Sequence, residues 1–166
     1  PAVAQEQILV DTVSRLSARL GGEVFAPHVT IQGDLGLPLE SLSRSLEILA
    51  AEVPVQRWRV NEIECSEHFF RCLYLRLGRE DAFDFLQGKA QAISGTAAGL
   101  SPFPHLSLAY GQPLTADHTR LREMLSSEFL GQEIVFDRLA ISLSSKNVQI
   151  ADWKCLAQFA LTPFPA

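Results

Sequence analysis

The sequence predicts an α+β fold, and three observations carry that reading. Helical and strand-like apolar patterns alternate along the 166 residues without a linker that would divide them. The strand pairs in 55–77 and 134–161 lie close enough in sequence to be antiparallel, which speaks against a doubly wound parallel sheet. One short motif occurs twice, 77 residues apart, which favours two lobes around a single cleft.

The elements follow in order. Leu9, Val13, Leu16 and Leu20 step by four, three and four along one helical face, and Gly21-Gly22 stops that helix. Phe25 to Gly33 reads as a short β run closed by Gly33-Asp34. Leu39, Leu42, Leu46 and Leu49 mark a second amphipathic helix, terminated by Pro54. Val55 to Cys65 and Phe69 to Leu77 read as paired strands around a Ser66-Glu67-His68 turn. In the second of them Leu73, Leu75 and Leu77 share one face and Phe70, Cys72 and Tyr74 the other. Phe83, Leu86, Ala90 and Ile93 repeat the helical spacing, Gly95 to Pro104 is loop, and Pro104 to Gly111 is another short β run. Leu121, Leu125 and Phe129 mark a further helix, with Thr115 or Asp117 as its N-cap. Strands around Ile134 to Leu143 and Val148 to Leu161 complete the fold.

Composition narrows the function. With 47% hydrophobic and 20% charged residues the chain can bury a sizeable core, so disorder is not expected. The longest stretch without Asp, Glu, Lys or Arg runs from Ala90 to Ala116, and its Pro, Gly and small polar residues rule out a membrane span. No basic-then-apolar leader opens the sequence. A net charge of -5 and an isoelectric point near 5.3 argue against coating long nucleic acid, but leave room for one small anionic substrate in a locally positive pocket. Cys65, Cys72 and Cys155 make an odd count without CxxC spacing. They read as buried small hydrophobes in a reduced, cytoplasmic protein rather than as a disulfide or zinc framework.

The doubled motif carries the chemistry. Pro27-His28-Val29-Thr30-Ile31 and Pro104-His105-Leu106-Ser107-Leu108 both read Pro-His-aliphatic-hydroxyl-aliphatic, with Gly33 and Gly111 in similar flanking positions. A hydroxyl two residues after a given His arises by chance about once in eight, and His68 and His118 lack one. Two copies sharing the same Pro and aliphatic positions go well beyond chance. Residues i and i+2 of a strand face one side, so each copy presents an imidazole and a hydroxyl together. That set suits phosphoryl transfer at a phosphodiester. One neutral His takes a proton from attacking water, one protonated His donates to the leaving oxygen, and Thr30 and Ser107 hydrogen-bond the non-bridging oxygens. The residues themselves do not order the two histidines. His68 reads as a solvated turn residue, and Arg57, Arg59 and Arg71 either add positive potential to the cleft or face solvent.

This pattern resembles the 2H phosphoesterase superfamily, whose hallmark is two His-x-Thr/Ser motifs in two pseudo-symmetric lobes facing one cleft. The run Pro104-His-Leu-Ser-Leu-Ala-Tyr-Gly111 is similar to the second motif of the plant and yeast cyclic nucleotide phosphodiesterase branch. Phe69-Phe70-Arg71-Cys72-Leu73-Tyr74-Leu75 resembles that branch's central aromatic-x-Cys strand. The likeness runs from the first helix to the closing Trp153 strand. The RNA 2',3'-cyclic phosphodiesterase and 2'-5' ligase branch usually carries Thr and a basic residue in its second motif, where this chain has Ser107 and Ala109-Tyr110.

The resemblance implies one two-lobed domain over 1–166, each lobe an antiparallel sheet with helices packed outside. It implies His28, Thr30, His105 and Ser107 as catalytic, His105 as the base toward water and His28 as the acid. Phe70 and Tyr110 would line the cleft against the base or ribose. For Tyr110 this requires the strand to end or bulge, since alternation puts it opposite His105. No metal or cofactor is implied. Expected substrates are nucleoside 2',3'-cyclic phosphates or ADP-ribose 1",2"-cyclic phosphate, with no long nucleic acid and no membrane as partner. Alternatives are an RNA 2',3'-cyclic phosphodiesterase or 2'-5' RNA ligase-like enzyme, and a non-catalytic nucleotide-binding module. Family members begin with a strand before the first helix, whereas this sequence opens at Pro1. A monomer is expected, with dimerisation or strand exchange through an exposed sheet edge if that strand is absent.

Overall fold

A computed structural model describes residues 1–111, 116–145 and 147–164. The order is α1 (Val3–Leu20), α2 (Leu39–Glu52), β1 (Gln56–Cys65), β2 (Leu73–Leu77), α3 (Asp81–Ser94), β3 (His105–Ala109), α4 (Ala116–Phe129), β4 (Glu133–Phe136), β5 (Arg138–Leu143) and β6 (Lys154–Ala160). The predicted α+β class is borne out. Among the described residues there are two antiparallel sheets, one of four strands in the order β3-β2-β1-β4 and one formed by β5 and β6. Helices α1 and α4 pack on the larger sheet and α2 on the smaller.

The helical periodicities locate the core. Leu9, Val13 and Leu16 of α1, Phe83 and Leu86 of α3, and Leu121, Leu125 and Phe129 of α4 are all buried. Gly21 ends α1 in the left-handed conformation at φ 75°, and its N–H returns to the Ser17 carbonyl. Of the two N-cap candidates for α4, Thr115 lies outside the described residues. Asp117 lies inside the first turn, where it meets Arg19 at 3.1 Å.

Four strand expectations need correction. Phe25 to Gly33 forms no strand, and only Val29 and Gln32 make isolated bridges there. Phe69–Arg71 is a 3-10 turn, so β2 begins only at Leu73. The Ser66 hydroxyl donates to the Arg71 carbonyl at 2.6 Å, and the Ser66 N–H donates to the Cys72 carbonyl at 3.1 Å, which closes the loop ahead of the strand. The run 134–143 is two strands in different sheets: β4 pairs with β1 and β5 with β6. Its interior side changes parity, from Ile134 and Phe136 to Ile141, as the chain crosses at Asp137. Residues Ile150–Asp152 form another 3-10 turn, so β6 starts at Lys154. Of the cysteines, Cys72 is buried, Cys65 half-buried and Cys155 exposed, so Cys155 is not the core residue expected. Among the described residues no helix is long and apolar enough to cross a membrane.

Candidate active site

The two Pro-His motifs meet at their middles. Val29 pairs with Leu106 in an isolated antiparallel bridge, and Leu106 pairs on its other side with Leu75 of β2. The first motif therefore runs beside β3, the edge strand of the larger sheet, and meets it through this single bridge. In an antiparallel register centred on Val29 and Leu106, His28 stands opposite Ser107 and Thr30 opposite His105. All four side chains consequently share one face, with the aliphatic partners on the other. The same face continues across the sheet, since Tyr74 pairs with Ser107, Arg76 with His105, and Glu64 with Tyr74.

A loop holds the motifs in this register. The Ser101 N–H donates to the Ile31 carbonyl at 3.0 Å, and the Gly33 N–H to the Gly99 carbonyl at 2.8 Å. The Gln32 side-chain amide reaches the Thr96 and Ala98 carbonyls at 2.9 and 2.8 Å. Gly99 has φ 75°, and a Cβ placed there would lie 2.0 Å from the Gly33 carbonyl oxygen. The flanking glycine Gly33 thus belongs to a close backbone crossing. Gly111 serves a different purpose, seating the Phe69 ring at φ 74°.

Each imidazole is fixed in the same way. His28 Nδ1 lies 2.8 Å from the Ala26 carbonyl and His105 Nδ1 lies 3.0 Å from the Phe103 carbonyl. A carbonyl only accepts, so Nδ1 carries hydrogen in both rings and Nε2 is left for proton transfer. Burial depresses the His28 pKa below the ordinary histidine value, opposed by the bond to Ala26. Burial also holds His105 down to about 4, against the Phe103 bond and aided by the positive charge of Arg71, His28 and His68. The Phe103 and Tyr74 rings lie 5.3 and 5.7 Å from the His105 ring. At neutral pH His105 is therefore an uncharged imidazole, and its Nε2 has no hydrogen-bond partner among the described residues.

The two hydroxyls differ. Thr30 is half-buried, and its hydroxyl has no partner among the described residues. Ser107 is buried, and its hydroxyl donates to the Phe70 carbonyl at 2.8 Å. The 3-10 turn bearing Phe70 therefore covers the second motif. Phe70 is half-buried and contacts the Phe69, Tyr110 and Trp153 rings at 4.7, 5.4 and 5.8 Å. Tyr110 follows the end of β3 and is 4% exposed, stacked on Phe25 at 3.7 Å. It supports Phe70 from behind. Burial raises the Tyr110 hydroxyl well above the ordinary tyrosine range.

Sequence reasoning gave too little weight to Arg71 and His68, both of which act electrostatically on His105. Arg57 and Arg59 are exposed on β1, Arg57 lying 5.2 Å from the Phe164 ring. Beside His105, Arg76 is neutralised by Glu64 at 3.2 Å, and Tyr74 hydrogen-bonds the same carboxylate. Burial and that bond push the Tyr74 hydroxyl up to about 12. A separate polar groove of about 730 Å³ lies between β1 and α4, lined by Glu62, Glu64, Tyr74 and Arg122 among others. Tyr74 and Glu64 connect it to the histidine face. Among the described residues no three His, Cys, Asp or Glu side chains gather as metal ligands.

No protein-family model and no curated protein matches the chain. Solved structures do. The crystal structure of TT0787 of Thermus thermophilus is similar with a TM-score of 0.54 and 16% identity, over 96% of this chain and 93% of that one. E. coli LigT in its apo form is similar with a TM-score of 0.54 and 16% identity, over 98% of this chain and 92% of that one. These likenesses establish the architecture: the chain shares the fold of LigT and TT0787.

Proposed function

We propose that this protein is a 2H phosphoesterase that opens small cyclic phosphates. The substrates are a nucleoside 2',3'-cyclic phosphate, converted to the 2'-phosphate, or ADP-ribose 1",2"-cyclic phosphate, converted to the 1"-phosphate. One observation carries the proposal. Two imidazoles on one sheet face each spend Nδ1 on a backbone carbonyl and keep Nε2 for proton transfer.

The chemistry follows from that arrangement. Neutral His105 Nε2 removes a proton from water as the water oxygen bonds to phosphorus. The bond from phosphorus to the departing ribose oxygen breaks, and protonated His28 gives that oxygen its Nε2 proton. Thr30 donates to a non-bridging oxygen, where charge collects in the transition state. His28 has a depressed pKa in the free protein. A bound phosphate anion favours its charged form and restores the acid. His105 ends protonated and His28 neutral, and exchange with solvent resets both.

Two expectations follow. Proton transfer from water to His105 and from His28 to the leaving oxygen requires no metal, so hydrolysis of 2',3'-cyclic nucleotides is expected to be unchanged by EDTA; loss of activity with EDTA removes the mechanism. The second concerns pH. The base must be neutral and the acid protonated, so kcat/KM should form a bell. Its acid limb belongs near pH 4, the value for His105. Its alkaline limb falls below the ordinary histidine value of 6.5, because His28 is depressed. A measured profile with its acid limb at an ordinary histidine pKa contradicts the assignment of His105.

An RNA 2',3'-cyclic phosphodiesterase or 2'-5' ligase-like enzyme is the competing reading. It requires a basic track leading to the histidines and an affinity that falls steeply with salt. Around His105 the pair Arg76 and Glu64 cancels, which supports a small substrate. Binding of an RNA end with a steep salt slope would favour the competitor. A nucleotide bound tightly but never hydrolysed would indicate a non-catalytic module.

A further inference from the structure

We propose that Arg71 is the anion-binding residue of the second half of the site, donating its guanidinium to a non-bridging oxygen of the scissile phosphate in place of Ser107. This rests on the phosphoesterase reading above and adds a residue that the doubled motif does not contain.

The two halves of the site do not match. Thr30 offers an unengaged hydroxyl beside His105, whereas the Ser107 proton is given to the Phe70 carbonyl at 2.8 Å beneath the 3-10 turn. The next residue of that turn is Arg71. Its guanidinium lies over the Phe103 ring at 5.1 Å, and that ring is 5.3 Å from His105. Arg76 approaches Phe103 more closely, at 4.2 Å, but Glu64 already holds it. Arg71 forms no salt bridge among the described residues. Stacking on a ring leaves the N–H edges of a guanidinium free, and those edges fit phosphate oxygens. Arg71 also acts on Tyr74 and, more strongly than His28 or His68, on His105. Its charge therefore reaches the face where a phosphate would sit.

The turn's own hydrogen bonds keep this cation in place. The Arg71 N–H donates to the His68 carbonyl at 2.9 Å, and its carbonyl accepts from Ser66. The ligand class recognised is a phosphoester anion, independent of the base it carries.

The test compares wild type, Arg71→Met and Arg71→Lys in two assays: hydrolysis of a nucleoside 2',3'-cyclic phosphate, and calorimetric binding of the nucleoside 2'-monophosphate. Arg71→Met keeps the stem over Phe103 and should lower kcat/KM about 100-fold. Binding of the monophosphate should weaken at least about tenfold, with the melting temperature preserved. Arg71→Lys should recover part of both, since it retains charge without the fork. Monophosphate binding by Arg71→Met equal to wild type overturns the proposal, whatever the wild type hydrolyses. Arg71-dependent binding without any hydrolysis sustains the proposal and overturns the phosphodiesterase reading. A wild type that neither binds nor hydrolyses overturns both.

Discussion

His105→Ala is expected to reduce kcat/KM for a nucleoside 2',3'-cyclic phosphate about 10³-fold, with His28→Ala close behind. The more informative result comes from changing the leaving group. A p-nitrophenyl phosphodiester departs as a stabilised phenolate and needs no proton from the enzyme. His28→Ala should then regain most of its rate, whereas His105→Ala should stay slow because water still has to be deprotonated. The loss in the double variant should fall short of the product of the two single losses, since acid and base act in one step. Equal losses with both leaving groups would dissolve the distinction between the two histidines. Activity unchanged in both single variants would remove the site altogether.

The second large effect is on stability. Gly99→Ala should destabilise the protein by about 3 kcal/mol, from a left-handed alanine and a methyl forced against backbone. The steric part has a definite origin, the Gly33 carbonyl oxygen 2.0 Å from the added Cβ. A drop of about 6–12 °C in melting temperature is expected for a chain of this size. Gly95→Ala is the control. It has φ 72° but nothing within 4 Å, so it should show only the left-handed conformational cost of about 1 kcal/mol, without the collision. Equal destabilisation by the two substitutions would show that the crossing with Gly33 is not tight. Because Gly33 lies two residues past the first motif, Gly99→Ala should also lower activity below what its folded fraction explains.

The residues that could be read from the sequence are those whose type and spacing announce a role. Pro27-His28-Val29-Thr30 and Pro104-His105-Leu106-Ser107 repeat a pattern, and strand alternation alone places each His with its hydroxyl. The helices were legible because Leu9, Val13 and Leu16, or Leu121 and Leu125, keep the period of a buried face. What escaped depends on contacts distant in sequence. Phe69 and Phe70 have strand-forming side chains, yet hydrogen bonds from Ser66 wind them into a turn. The fate of the Ser107 proton is set by that turn, 37 residues earlier. Arg71 looks like any strand arginine until Phe103 comes to lie beneath it. One signal was present and overlooked: the apolar parity shift across Asp137 marks the point where the chain leaves one sheet for the other.

The bridge between Val29 and Leu106 also bears on how such a catalyst spends its time. The imidazoles ride on adjoining extended segments, spaced by the sheet's own interval of about 4.8 Å, rather than on bodies that swing together. Drawing the proposed acid and base apart would require breaking that bridge. Under the proposed mechanism, assembly of the pair is therefore not expected to limit turnover. The rate should be governed by proton transfer or by escape of the product monoester.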